Sequence, residues 1–210
     1  TQNFPSTISA TTNEADLVIV TNRLWLTEAN AWAAYRQGQG INVKVIDVED
    51  AFDEFGYGVS GSTALKSFFE FAHNNWQTPP DYIMLMGDGT FDPRNYTGGG
   101  FHAYIPTKFF DSLYGEAPSD EAMTHFKNDG LSEIVIGRVP VRNPQTATVI
   151  LNKVSNFETD SSDGLNRGVL CASDIPNGYD FAGLCGRVMN ELPAPVSKTY
   201  INRADANAKT

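Results

Sequence analysis

Positive charge is scarce in this 210-residue chain: 15 Lys and Arg stand against 25 Asp and Glu, a formal charge of -10. Phosphate backbones and anionic headgroups reward basic patches, so neither nucleic acid nor an anionic membrane is an expected partner. Long apolar runs are missing as well. None approaches the roughly eighteen residues that a helical membrane span needs, and membrane insertion is not expected. The N-terminus has neither an initiator Met nor a signal-peptide pattern, and the last residues, RADANAKT, are polar and open-ended. The chain therefore reads as a piece of something longer, with residues 1–14 as a leader or linker.

Cysteine and histidine are nearly absent. Cys171 lies in a strand-like run and Cys185 on the apolar face of a helix-like run, where thiols usually act as small buried hydrophobes. Neither has a histidine beside it in sequence. The three histidines, His73, His102 and His125, lack metal-ligand spacing. There is no Gly-rich phosphate loop either: GSTALK at residues 61–66 has the wrong spacing, and no GxGxxG follows the first strand. Nucleotide binding is unsupported.

What the sequence does have is alternation of strand and helix with short polar connections, the signature of a mostly parallel α/β sheet. Residues 16–21 (DLVIVT), 42–48, 81–86 and 133–141 (EIVIGRVPV) read as core strands. Thr27 and Ser62 are candidate caps for the first two helices, and Asn143-Pro144 for a third whose apolar stripe is Ala147, Ile150, Leu151, Val154 and Phe157. The stretch 95–130, rich in Gly, Pro, Asp and aromatics with one extended piece at 104–110, is long for a structureless connection and is expected to be functional or elaborately folded. TDSSDGLN at residues 159–166 is the best linker candidate. After it come a strand at 168–173, an amphipathic helix and a strand at 198–202. The expected organisation is a first subdomain over 15–160 and the incomplete start of a second over 161–210.

Ligands of open α/β sheets bind beyond the carboxyl ends of the strands. Acids stand at several of those ends: Asp47, Asp88, Asp92 and Asp174. Such carboxylates could hold calcium or magnesium, and Asp88 and Asp92 are the candidate ligands of a structural calcium. The plainer reading is that Asp and Gly after strands are good turn and cap residues. GDGT at residues 87–90 looks like a phosphatase motif, but the position of its nucleophile is Met86, and a thioether cannot accept a phosphoryl group. A receiver-like phosphotransfer module, with Asp88 as acceptor, is disfavoured by the long aromatic loop.

Four segments taken in order resemble the catalytic domain of gingipain-type cysteine peptidases. They are ADLVIVTN with YRQGQGINVKVIDVEDAFDEFGYG, PPDYIMLMGDGTFDPRN, IPTKFFDSLYGEAPSDE, and EIVIGRVPVRNPQTATVILNKVSNFE, with a looser match through VLCASDIPNGYDFAGLCGRVMNELP. The resemblance implies a caspase-like fold, a three-layer sandwich of mostly parallel sheet flanked by helices with the second subdomain truncated. It also implies a secreted or surface-exposed endopeptidase that acts on protein or peptide substrates and requires no cofactor. In such enzymes a Cys-His pair carries the chemistry, and the resemblance puts both residues beyond Thr210, so this chain alone is expected to be inactive. It further implies that Asp174 orients the catalytic histidine and that Asp180 sits at the floor of a substrate pocket. Asp180 also precedes an amphipathic helix, and the N-cap reading is the stronger one. The competing class is a non-catalytic caspase-like scaffold for secretion or the cell surface. Oligomeric state is not legible.

Overall fold

The computed structural model describes residues 6–100, 102–113, 115–127, 129–159, 169–173, 178–194 and 196–203. It divides into two compact units, Thr1–Lys153 and Val154–Thr210. The strands of the first unit are β1 (Leu17–Thr21), β2 (Val43–Asp47), β3 (Tyr82–Met86), β4 (Lys108–Ser112), β5 (Gly115–Ser119) and β6 (Val135–Val139), and its helices are α1 (Leu26–Gln37), α2 (Val48–Gly56) and α3 (Ser62–Asn75). A fourth helix, α4 (Pro144–Thr159), begins there. Four strands form a parallel sheet in the order β2-β1-β3-β6, and β4 and β5 make a separate antiparallel hairpin.

Strand periodicity assigns the two faces. Val18, Val20, Ile46, Ile83 and Leu85 point to one side and join Phe52, Leu65, Phe68 and Phe69 of α2 and α3 in the main core. Ile19, at the alternate position, faces the other side, where α1 packs on β1 and β2 and buries Ala29, Trp32 and Ala33. Each fully buried large apolar side chain stabilises by about 1.5–3 kcal/mol, so α3, with Leu65, Phe68 and Phe69 at zero exposure, is the strongest anchor of its layer. Ile8 belongs to the same core, and the Trp76 indole donates to its carbonyl at 2.9 Å, which fastens the N-terminal segment to the end of α3.

The second unit holds β7 (Val169–Ser173), α5 (Phe181–Glu191) and β8 (Lys198–Asn202). Its strands pair in parallel with Cys171 opposite Tyr200, and Ser173 and Tyr200 share a hydroxyl hydrogen bond of 2.7 Å. The linker candidate falls largely on residues 160–168, outside the described residues, as do residues 204–210 of the polar tail.

Several local expectations are corrected. The acidic run after β2 is the helix α2: Asp47 accepts from the Glu49 N–H at 3.2 Å, and Val48, Ala51 and Phe52 turn inward. Before α1, a short 3-10 turn at Arg23–Trp25 is capped by Asn22, not Thr27. The N-cap of α3 is Gly61, with no side-chain cap bond, so Ser62 is the first helical residue. The extended piece at 104–110 is in fact the start of the β4–β5 hairpin, with Phe109 opposite Pro118. Asn143 does cap α4, accepting from the Thr146 N–H at 2.8 Å. Of the apolar stripe expected on α4, however, only Ala147 is fully buried, and Phe157 is exposed.

Candidate functional site

In the order β2-β1-β3-β6, β2 and β3 lie on opposite sides of β1, so the chain reverses direction across the sheet between β1 and β3. Ligand crevices of open α/β sheets form at the carboxyl ends of such strands. Here Thr21 closes β1 by donating from Oγ1 to the Met86 carbonyl at 3.3 Å, and β3 leaves the sheet through Gly87-Asp88-Gly89. The turn stays tied to the end of β6: the N–H groups of Gly87 and Asp88 donate to the Val139 and Val141 carbonyls, both at 3.0 Å. The Asp88 carbonyl then accepts from Tyr104 and Ile105, which returns the long loop to the sheet edge.

A cleft of about 640 Å³ opens at this edge, with Asp88, Phe91, Phe109, Glu116, Asp120 and Arg142 among its walls. An adjoining cleft of about 420 Å³ shares Thr90, Phe91, Thr107 and Phe109 and reaches Asn22, Glu49 and Tyr104. Phe91, which lines both, is 71% exposed, an apolar surface that a bound chain segment would cover. Among the described residues that line the two clefts there is no cysteine or histidine. The groove can hold and orient a ligand. Its described lining residues include no nucleophile and base of the Cys-His kind.

The frame of the cleft is Arg138. From the middle of β6 its guanidinium reaches Asp120 through Nε and Nη2, both at 2.7 Å, and Nη1 donates to the carbonyls of Gly87 at 2.7 Å and Ile105 at 2.8 Å. Nη2 also donates to Pro106 at 3.3 Å, so all five guanidinium hydrogens have acceptors. Thr107 adds a hydroxyl bond to Asp120 at 2.7 Å. Burial alone would raise the Asp120 pKa, but the hydrogen bonds from Arg138 and Thr107 and the guanidinium charge outweigh it and hold the carboxyl below its usual range. Sequence reasoning missed this pair. The available signal was an arginine in the middle of an otherwise apolar strand, EIVIGRVPV, where a charge requires a partner.

The acids named from the sequence occupy varied positions. Asp88 ion-pairs with Arg142 and accepts from the Gly89 N–H. Asp92 accepts from the N–H groups of Tyr96 at 2.8 Å and Thr97 at 2.7 Å and from the Thr97 hydroxyl at 2.6 Å, so its carboxylate staples its own turn. The Thr97 hydroxyl above all, then the Thr97 and Tyr96 N–H groups, hold Asp92 below the usual carboxyl range against the opposing effect of burial. Asp47 caps α2 and pairs with Arg23 at 3.1 Å. Among the described residues no three His, Cys, Asp or Glu side chains come together as a metal-binding set. Asp174 lies outside the described residues. Asp180, in the second unit, accepts from the Gly183 N–H at 2.8 Å as the N-cap of α5. Asp180→Ala is expected to cost about 1 kcal/mol of helix stability, visible as faster amide exchange at the start of α5.

A mostly parallel sheet flanked by helices, with an open groove at its carboxyl edge, is an α/β architecture of the kind that the caspase-like resemblance implies. The chain belongs to peptidase family C25, whose model matches residues 10–210, the gingipain family that the four sequence segments resemble. Two solved structures share the fold. Dimeric latent PorU from Porphyromonas gingivalis is 20% identical with a TM-score of 0.61, over 84% of this chain and 20% of that one. A second protease is 14% identical with a TM-score of 0.64, over 91% of this chain and 40% of that one. The chain thus spans well under half the length of either. No curated protein matches it.

Proposed function

We propose that this chain is a fragment of a secreted or surface-exposed cysteine endopeptidase whose Cys-His pair follows Thr210. The carrying observation is the family match over residues 10–210, which covers both units. The groove fits a supporting role: its aromatic walls and fixed turn can seat a peptide, while its described lining residues include no thiol or imidazole to cut one. In this reading Asp174, the residue after β7, orients the histidine, and the thiolate attacks the peptide carbonyl while backbone N–H groups hold the oxyanion. Asp180 contributes in this reading by fixing the start of α5 as its N-cap. The mechanism calls for no cofactor.

The experiment compares residues 1–210 with a protein extended along its natural sequence through the next Gly-His-Gly and cysteine, on a fluorogenic peptide library with and without iodoacetamide. The extended protein is expected to cleave in a thiol-dependent manner, and residues 1–210 are expected to give no turnover. An extended protein lacking those residues, or folded and inert, would overturn the enzyme reading in favour of the non-catalytic scaffold.

A further inference from the structure

The two thiols of the second unit sit on packed neighbours, β7 and α5. Cys171 sits at the centre of β7, α5 packs on that strand, and Cys185 is the side chain that α5 buries. The Cys185 thiol reaches the carbonyl of Ala172, the neighbour of Cys171, at 3.6 Å. Both are free in this structure. Cys171 is half-buried and Cys185 buried, so a small reagent meets Cys171 first. Leu184 and Val188, expected on the apolar face of α5, are exposed.

We propose that Cys171 and Cys185 form a reversible disulfide that fastens α5 to β7 under oxidising conditions. The oxidant is a small-molecule disulfide. The Cys171 thiolate attacks one of its sulfurs, expels one thiolate and forms a mixed disulfide; the Cys185 thiolate then attacks the Cys171 sulfur and expels the second. Two protein thiols lose two protons and two electrons, and the small disulfide is reduced to two thiols. The loop so closed contains Asp174 and Asp180. The crosslink therefore restrains the connection from β7 to α5, whether or not the parent protein is an active peptidase. The hydrogen bond to Cys185, then burial, holds the Cys171 thiol above its usual range, so closure depends on the small thiolate fraction and quickens as pH rises.

The test incubates the full 210-residue chain with oxidised glutathione at mildly alkaline pH and maps peptides without reduction. The expected product is a monomer with one Cys171–Cys185 linked peptide, no remaining alkylatable thiol and a melting midpoint raised by roughly 5 °C, reversed by dithiothreitol. The initial rate should fall about tenfold per pH unit below the thiol range. C171S should lose both the crosslink and the shift while keeping a protected Cys185. Thiols that remain alkylatable in the folded chain, a product halted at the glutathione adduct, or linkage only between chains would each overturn the proposal; none of these readings depends on how a variant folds.

Discussion

Arg138→Ala is expected to lower the free energy of unfolding of the first unit by about 3 kcal/mol or more, measured by denaturant titration. The substitution removes one positive charge, leaves the Asp120 carboxylate with only its Thr107 bond among those described, and takes the Arg138 donors from the carbonyls of Gly87, Ile105 and Pro106. The Arg138 side chain is 14% exposed and that of Asp120 22%, so water compensates only in part. Lysine should restore little. It offers three donors on a mobile stem, and the two oxygens of Asp120 are met by a planar fork. The double replacement R138M/D120L should lose less than R138A alone, because it leaves no unpaired charge in the frame.

The same pair sets a pH dependence. Asp120 has a folded pKa below its unfolded value, so its stabilisation is present above the ordinary carboxyl range and is lost as pH falls through the depressed folded value. Below about pH 4 the gap in stability between wild type and R138A should therefore narrow. A gap that stays constant into acid would mean that Arg138 acts through its carbonyl bonds alone.

Much of the sheet was legible because its strands are short apolar runs with polar ends. Residues 16–21 and 81–86 each lie within one residue of β1 and β3, and parallel pairing follows from the helices between them. The acidic run after β2 misled because charge count obscured periodicity: Val48, Ala51, Phe52 and Phe55 lie at helical spacing among five acids. The α4 and α5 stripes show the opposite failure. Periodicity identifies a helix and its apolar face, but burial depends on a partner surface supplied from elsewhere in the fold. The site was legible as a location, the carboxyl edge of β3. Its construction was not, because Asp120, just after the hairpin, and Arg138, in β6, are eighteen positions apart and meet only once the loop between them returns the chain to the sheet.

The glycines of the turn after β3 provide the second large effect. Gly87→Ala is expected to cost about 2–4 kcal/mol, because an added Cβ would stand 2.6 Å from Ile105 Cγ1, 3.2 Å from Trp25 Cζ3 and 3.3 Å from Tyr104 Cβ. Ile105 has no exposed surface and Trp25 is 2% exposed, so neither can swing into solvent. Gly87 also has φ +156°, a backbone angle that a side chain rarely adopts. The neighbouring Gly89 differs. Its added Cβ would approach the Ile105 carbonyl at 3.2 Å without a left-handed φ, and Gly89→Ala should cost roughly 1 kcal/mol. Gly137, at the centre of β6 opposite Met84, has nothing within 4 Å of its added Cβ, so Gly137→Ala should be close to neutral and serves as the control. In the G87A variant the turn must lift away from Ile105, and the Gly87 carbonyl leaves Arg138 with it. The loss should then be less than additive with R138A, since both disrupt one frame. Full additivity in the double variant would show that the packing of Gly87 and the hydrogen bonding of Arg138 are independent supports of the groove.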